Sequence, residues 1–560
     1  MVRSMSSASA LQIILACISG LLYPLCFPDF DLGVIAWVVL LPLHLALDQV
    51  PPRRAFWIGW LAGFVAFVGT MFWVVTAMHL YGKLPLALSY IFMALLAAYL
   101  GLYVAVYALA LTRLRNTLPS LAFIGAPFLW VTLELARTYL LSGLPWGLIG
   151  YSQYRWLPAI QIADHTGVYG VSFVVVLVNA ALAEVTLWGL SRFRWQLGRQ
   201  VSSAPLAPFP WLTPAGAALG LAYTLLYGMT ILNSGSEDDP SRTLRVGLVQ
   251  ANIDQAHKWD AAFLRETLDR YKRLTTRAAE GADLIIWPEA ATPFLFEQET
   301  PYRAEVLELV RAHRLPLLLG SPALRYFPDG RPYLLNSAFL LSPDGEVLGR
   351  YDKRHLVPFG EYIPLRPVLS FLDKLVEGIG DFEAGNSPTV LAFPDRSGSQ
   401  PNDRQTRFGL AICYEVIFPH LVRESVNGGA EFMVTITNDA WFGNSVAPYQ
   451  HFGMVVLRAV ENRIAFARSA NTGISGFIDP YGRILSATPI FEELFVTGRI
   501  PIGRKLTIYT EYGDVFAYTC VIITALLLLT ARSWIRREAR GKGQTGGRDN
   551  RSEHRGKRHA

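Results

Sequence analysis

Residues 408–419 read FGLAICYEVIFP, an apolar run that ends abruptly in Cys413-Tyr414-Glu415. A short, continuous apolar run of this kind is typical of a buried β-strand. A thiol at the end of such a strand, beside a carboxylate, is a candidate nucleophile. The other three cysteines, Cys17, Cys26 and Cys520, lie in or at the ends of long apolar runs. Cys413 is therefore the candidate thiol, and a buried inert cysteine is the alternative that spacing leaves open.

The composition of the chain indicates a membrane protein. Of its 560 residues, 52% are hydrophobic and 17% are charged, whereas soluble domains carry about 25% charged residues. A membrane helix needs about 20 mostly apolar residues. Eight runs are candidates, near 10–27, 33–48, 56–78, 87–111, 119–140, 168–190, 211–233 and 515–533. So many long runs argue against buried helices of a soluble protein, although the second run is short and the fifth carries Glu134 and Arg137.

Lysine and arginine in the short loops predict the orientation, since they concentrate on the cytoplasmic side. The loops on the side of the N-terminus carry Arg53, Arg54, Arg113, Arg115, Arg192, Arg194 and Arg199. The short loops on the other side carry only Lys83 and Arg155. No small-residue cleavage site follows the first run, so we expect a retained span rather than a cleaved signal peptide.

These patterns divide the chain into four predicted parts. Residues 1–233 form a membrane domain of about seven helices, 234–514 a periplasmic domain, 515–533 a final membrane helix, and 534–560 a basic, disordered cytoplasmic tail. The ten basic and three acidic residues from Arg532 onward carry +7, while the whole chain carries +6, so the preceding residues carry −1. The tail suits contact with anionic lipid, and we expect no nucleic-acid partner.

Segment 234–514 alternates strand-like and helix-like stretches, which predicts a layered α/β fold. Glu289 follows the apolar strand LIIWP, Lys353 follows EVLGRY, and Asn438-Asp439 follow VTIT. Functional side chains of α/β folds gather beyond strand ends, so we expect these residues to meet Cys413. A carboxylate can then take the thiol proton, and an ammonium can stabilise the oxyanion that develops on attack at a carbonyl.

Several motifs resemble those of known enzymes. WPEAA, YDKRHLVPFGEYIP and CYEVIFP resemble the Glu, Lys and Cys motifs of the nitrilase superfamily. Along nearly the whole chain, the order of SGLPWGLIGYSQY, GVYGVSFVVVLVN, NDAWFG, QHFGMVVLRAVENR, ANTGISGFIDPYGRI and YTEYGDVF is similar to the apolipoprotein N-acyltransferase family. The resemblance implies a polytopic α-helical membrane domain joined to an αββα sandwich.

The same resemblance implies roles for individual residues. Glu289 is the expected general base, Lys353 the stabiliser of the tetrahedral intermediate and Cys413 the nucleophile. The implied supporting residues are Glu361, Tyr414 and Glu415, and the implied substrate-binding residues are Trp259 and Trp441. Each also has an ordinary interpretation, such as a helix cap, a solvated charge or a packed aromatic ring.

The implied reaction is a two-step transfer on a bacterial inner membrane. Cys413 takes an acyl chain from a phospholipid, with phosphatidylethanolamine the expected donor, and forms a thioester. The α-amine of an S-diacylglyceryl cysteine on an apolipoprotein then receives the chain. We expect a monomer and no cofactor. We also expect no metal, because the histidines lack the spacing of metal ligands and suit surface or loop positions; they are His257, His313, His355, His420 and His451.

Two other functions compete with this interpretation. A membrane-tethered amidase could use the same three residues and pass the acyl group to water. A transporter or scaffold with a sensing domain is the second, but few ionisable residues lie in the predicted spans. The stretch VLSFLDKLVEGIGDF at 368–382 is apolar enough for a membrane-touching lid and equally suits a core helix.

Overall fold

The computed structural model describes residues 7–196, 208–234, 242–363, 382–386, 390–394 and 405–556, and the side chains of these except 7–8, 194–196 and 537–556. The stretch at 368–382, expected as a lid or a core helix, lies outside the described residues apart from Phe382.

Helices make up the described part of the first 234 residues. They are α1 (Ser7–Leu25), α2 (Leu41–Ala46), α3 (Pro52–Met71), α4 (Val74–Thr76), α5 (Leu86–Thr117), α6 (Pro119–Tyr139), α7 (Leu157–Ile160), α8 (Ala163–Thr166), α9 (Val168–Gln196) and α10 (Leu212–Ser234). A π-helical turn, Ala77–Tyr81, follows α4. We call this part the membrane half.

Strands dominate the next part of the chain. They are β1 (Thr243–Gln250), β2 (Leu284–Ile286), β3 (Leu317–Tyr326), β4 (Pro332–Leu341), β5 (Val347–Asp352), β6 (Val390–Pro394), β7 (Gln405–Ile412), β8 (Phe432–Thr437), β9 (Phe466–Ala470), β10 (Gly476–Ile478), β11 (Ile484–Ala487) and β12 (Leu494–Pro501). The helices are α11 (Leu264–Ala279), α12 (Pro301–His313), α13 (Pro419–Asn427), α14 (Ala447–Asn462), α15 (Ile508–Tyr512) and α16 (Val515–Gly556).

Two six-stranded sheets pack face to face. Their strand orders are β12-β1-β2-β3-β4-β5 and β11-β10-β9-β8-β7-β6. Apolar side chains fill the space between them, including Val246, Ile286, Leu410 and Ile436. Helices α11 and α12 cover the outer face of the first sheet, and α13 and α14 cover that of the second. This arrangement confirms the predicted αββα sandwich.

Six helices are long and apolar enough to cross a membrane, counted over the described residues: α3, α5, α6, α9, α10 and the first part of α16. The first predicted run gives a shorter apolar helix, Ser9–Leu25. The second predicted span divides into a 3-10 turn, Gly33–Trp37, and α2. Pro42 stands in the first turn of α2, where its missing N–H group cannot continue a preceding helix.

The C-terminal tail also differs from its prediction. We expected residues 534–560 to be disordered, but α16 continues without a break to Gly556. Between Val515 and Gly556 the sequence contains no proline. No residue in this stretch therefore lacks the backbone N–H group that an α-helix requires.

A buried ion pair and a buried hydrogen bond join the membrane half to the sandwich. Arg463 Nη2 lies 2.7 Å from Asp164 Oδ2, and both side chains are more than nine-tenths buried. Arg458 Nη2 donates to the hydroxyl of Tyr151 at 3.1 Å and to Glu461 Oε1 at 2.8 Å. Because a charge buried without a partner is costly, these contacts hold the two parts in one relative position.

Replacing Arg463 by Met tests this junction. Removal of one partner from a buried ion pair destabilises a protein by about 3–5 kcal/mol, since the other charge stays buried without compensation. We expect Arg463→Met to lower the midpoint of thermal unfolding of the detergent-purified protein, measured by intrinsic fluorescence. The control is Arg325→Met, which removes a half-exposed pair with Glu297 worth about 0–1 kcal/mol. Equal midpoints for the two variants would contradict the assignment.

Candidate active site

The sheet topology brings the predicted strand-end residues to one edge. Strand β2 is parallel to β3, and β5 is antiparallel to β4, which is itself antiparallel to β3. Strands β2 and β5 therefore run in the same direction, so Glu289 and Lys353 emerge at the same edge of the first sheet. Cys413 follows β7 and Asn438 follows β8, two parallel neighbours in the second sheet.

A buried lysine links two carboxylates at this edge. Lys353 Nζ donates to Glu361 Oε1 at 2.9 Å and lies 3.4 Å from Glu289 Oε1. Asn336 Nδ2 donates to the same two oxygens, at 2.7 Å to Glu289 and 2.9 Å to Glu361. Burial alone would lower the pKa of Lys353, but Glu361 and Glu289 raise it overall, so the side chain is an ammonium at neutral pH.

Backbone groups hold the second oxygen of each carboxylate. The N–H group of Asn438 donates to Glu289 Oε2 at 2.9 Å. The N–H group of Val357 donates to Glu361 Oε2 at 2.8 Å. Glu289 therefore reaches from the first sheet to the second, and its orientation is set by both.

Cys413 has a left-handed backbone conformation in a buried turn. Its φ is +53°, a left-handed conformation that costs a residue other than glycine about 1–3 kcal/mol. It opens the 3-10 helix Cys413–Ile417 directly after β7. Burial raises the pKa of the thiol, and Glu289 raises it further, while Lys353 opposes the shift. The thiol is protonated at neutral pH, so nucleophilic attack requires a base.

Glu415 fixes the turn that carries the thiol. Its carboxylate is fully buried and accepts from the N–H group of Ile412 at 2.7 Å and from that of Arg354 at 2.6 Å. The hydroxyl of Tyr351 donates to it at 2.9 Å. One carboxylate thus ties the end of β7 to the loop that begins with Lys353, and its contacts are those of a positioning residue.

His451 supports the same turn from α14. Its Nε2 lies 3.2 Å from the carbonyl oxygen of Cys413 and its Nδ1 lies 3.1 Å from Asp439 Oδ1. Arg468 Nη2 donates to Asp439 Oδ2 at 2.6 Å. The expectation of a surface or loop position for His451 is wrong, because the side chain is buried on a helix. Its contacts join residues 12 to 38 positions apart, which no local spacing reveals.

The remaining predicted residues surround this centre. The hydroxyl of Tyr414 donates to the carbonyl oxygen of Gly143 at 3.0 Å, across the junction with the membrane half. The side chain of Trp259 is 52% exposed and that of Trp441 is 38% exposed. The Trp441 ring lies 5.7 Å from that of Tyr81, in the π-helical turn of the membrane half. Both tryptophans therefore present ring surface that a further molecule could cover.

Two more residues of the site gave no signal in the sequence. Asn336 lies inside β4 and reaches both carboxylates, as described above. Lys258, on the loop after β1, donates from Nζ to the backbone carbonyl oxygen of Glu289 at 3.0 Å. A lone asparagine or lysine is common in any sequence. Only the packing of the two sheets identifies Asn336 and Lys258 as residues of the site.

The site therefore combines the parts that acyl transfer through a thioester needs. A thiol lies at one strand end, and a carboxylate that can take its proton is fixed by two sheets. A buried ammonium contacts this carboxylate, and such a group can stabilise negative charge on a carbonyl oxygen.

Comparison with known proteins covers most of the chain. Residues 19–181 match the family model of the apolipoprotein N-acyltransferase N-terminal domain, and residues 245–504 match that of carbon-nitrogen hydrolases. Apolipoprotein N-acyltransferase of Geobacter metallireducens is 42% identical over 92% of this chain and 95% of its own length. That of Chlorobaculum tepidum is 33% identical over the same shares. The crystal structure of an amidase from Nesterenkonia sp. is 23% identical over 46% of this chain and 90% of its own, with a TM-score of 0.33.

Glu415→Gln tests the positioning of the thiol turn. The amide would turn its NH₂ group toward a donor and leave buried backbone N–H groups unsatisfied, which costs about 1–3 kcal/mol. We expect a lower unfolding midpoint and slower alkylation of Cys413 by iodoacetamide. The matched control is Glu424→Gln, which removes a carboxylate that pairs with Arg354 but is 38% exposed, and should shift the midpoint little. Similar shifts of the unfolding midpoint for both variants would contradict the assignment of Glu415 as a positioning residue.

Proposed function

The chain belongs to the apolipoprotein N-acyltransferase family, and from that premise we propose that Glu289, Lys353 and Cys413 perform its acyl transfer. The protein is an acyltransferase of lipoprotein maturation with a carbon-nitrogen hydrolase domain. The single observation that supports these roles is the bond of Lys353 to Glu361 and Glu289 beside the Cys413 turn.

In the first half-reaction the thiol becomes an acyl carrier. Glu289 takes the proton of Cys413, and the sulfur attacks the ester carbonyl of a membrane phospholipid. The ammonium of Lys353 stabilises the oxyanion of the tetrahedral intermediate. Collapse breaks the ester C–O bond, the lysophospholipid oxygen takes the proton from Glu289, and a thioester remains on Cys413. We propose phosphatidylethanolamine as the donor.

In the second half-reaction the acyl chain is transferred from Cys413 to an amine. The neutral α-amine of an S-diacylglyceryl cysteine on the apolipoprotein attacks the thioester carbonyl, and Lys353 again stabilises the oxyanion. Glu289 takes a proton from the attacking nitrogen. The C–S bond breaks, the sulfur of Cys413 regains that proton, and an N-acyl amide is released from free enzyme.

Both substrates are lipids, which fits the position of the site. A buried CH₂ group contributes about 0.8 kcal/mol to membrane anchoring, so long acyl chains stay in the bilayer during the reaction. The contact of Tyr414 with Gly143 sets the nucleophile turn against the membrane half. We propose that the exposed rings of Trp259 and Trp441 contact the lipid substrates, and that the site faces the periplasm at the inner membrane.

The proposed roles are tested by trapping the acyl-enzyme. Purified enzyme mixed with acyl-labelled phosphatidylethanolamine and no acceptor should carry a hydroxylamine-sensitive fatty-acyl adduct on Cys413, detected by intact-mass spectrometry. Cys413→Ala should carry none. Glu289→Gln should form it about 10²–10⁴ times more slowly, because a general base is lost.

The control for Glu289→Gln is Glu297→Gln, a half-exposed carboxylate paired with Arg325, which should label at the normal rate. Adding a diacylglyceryl peptide should discharge the adduct and yield N-acylated peptide. Ammonia release from small amides without any adduct would favour a membrane-tethered amidase. Full activity of Cys413→Ala would end the proposal.

The proposed orientation is tested with introduced cysteines. Lys505 has an exposed side chain after β12, and Arg53 has an exposed one at the start of α3. In intact spheroplasts, Lys505→Cys should react with a membrane-impermeant maleimide, and Arg53→Cys should react only after permeabilisation. The unsubstituted chain reports background labelling. The reverse pattern would place the sandwich in the cytoplasm.

A further inference from the structure

Lys258 is a buried lysine in contact with the backbone of the proposed base, Glu289. Its side chain is 2% exposed, which is rare for lysine unless it is paired. Among the described residues its hydrogen bond goes to the backbone carbonyl oxygen of Glu289, at 3.0 Å, and not to a carboxylate. A full ammonium buried against a carbonyl dipole calls for a negative charge nearby.

The carboxylates of the site supply this negative charge. Glu289 and Glu361 share the one ammonium of Lys353, so this group of three carries a net charge of −1. Asp439 is matched by Arg468, at 2.6 Å. The excess negative charge opposes formation of a thiolate in the same site. When Glu289 takes the thiol proton, the −1 charge moves from the carboxylate pair to the sulfur, so a second cation in this site would offset the charge in either state.

We propose that Lys258 is this second ammonium, an electrostatic positioning residue that neutralises the carboxylate pair and stabilises the thiolate of Cys413 as Glu289 takes its proton. The role rests on the proposed function, since it assumes that Cys413 is the nucleophile. The ammonium itself need not touch either lipid, because it acts through the charge of the sulfur and through the backbone of Glu289.

The electrostatics of Lys258 agree with this placement. Burial lowers the pKa of Lys258 to about 8, while the charges of Glu289 and Cys413 act in the opposite direction. The side chain is therefore mostly protonated at neutral pH. An interaction between two charges is mutual, so an ammonium that a thiolate favours must in turn favour the thiolate.

A structural role is the competing explanation. The hydrogen bond from Lys258 to Glu289 holds the loop that carries Trp259, and this loop could need a donor without needing a charge. Glutamine and methionine separate the two possibilities, because Lys258→Gln keeps a donor and loses the charge, whereas Lys258→Met loses both. Lys258→Arg keeps the charge.

The test measures the reactivity of Cys413 directly. The full chain in detergent is alkylated with iodoacetamide from pH 6.5 to 10, and the modified Cys413 peptide is quantified by mass spectrometry. The ionisable groups already known to act on this thiol are Glu289, Lys353 and Asp439, and His451 contacts the carbonyl oxygen of Cys413; all four stay unchanged in the variants. We expect Lys258→Gln and Lys258→Met to react about tenfold more slowly at pH 7, where Lys258 is mostly protonated. This difference should shrink as the pH rises through the pKa of Lys258, about 8.

The controls make each outcome decisive. Lys258→Arg should restore the rate to within about threefold. Lys272→Gln removes a lysine of α11 that pairs with Glu305 and should leave the profile unchanged. A normal profile for Lys258→Gln with a slowed Lys258→Met would show that only the hydrogen bond matters and overturn the proposal. Normal profiles for both variants would also overturn it.

A separate assay distinguishes this failure from failure of the proposed function. If Cys413→Ala still transfers acyl chains, the proposed nucleophile is wrong whatever the alkylation profiles show. If Cys413→Ala is inactive and Lys258→Gln reacts normally, only the role of Lys258 is lost. Thermal unfolding of each variant shows that the compared proteins are folded.

Discussion

The ammonium of Lys353 between Glu289 and Glu361 is the interaction on which the site depends. Two carboxylates cannot stay ionised in a buried pocket without a cation and further donors. Lys353, Asn336 and two backbone N–H groups supply these. The partners come from β4, from the loop after β5 and from the end of β8, so the cluster forms only when both sheets pack together. The same constraint that makes the cluster stable also brings a carboxylate and an ammonium to the strand ends where the proposed nucleophile lies.

The second constraint is the packing of helices between the second sheet and the membrane half, which fixes the position of the sheet. Its outer helices, α13 and α14, pack against the membrane half and share one apolar core with it. The buried ion pair of Arg463 with Asp164 at this junction leaves little freedom for one part to rotate on the other. Because Cys413 stands at the end of a strand in that sheet, the thiol is held at a fixed place relative to the membrane helices. A reaction between two membrane-anchored substrates needs such a fixed place.

Some expectations from the sequence were corrected by long-range structure. Hydropathy treats residues 33–48 as one run, but a 3-10 turn and a separate helix with Pro42 in its first turn divide it. The run of basic residues at 534–560 does not distinguish a solvated tail from a continuation of α16. His451 looked ordinary because its partners, Asp439 and the carbonyl of Cys413, come from other elements. For His451 the deciding contacts join residues that are far apart in the chain.

The sequence by itself determined the membrane character, the αββα sandwich, and the identities of Glu289, Lys353 and Cys413 at strand ends. Local patterns suffice for these, because hydrophobic period and strand boundaries are properties of neighbouring residues. Only the tertiary structure decided that Asn336 bridges two carboxylates, that Glu415 holds the thiol turn, and that a second lysine is buried beside it. Burial and charge pairing depend on which strands lie side by side. No single stretch of the sequence specifies which strands become neighbours.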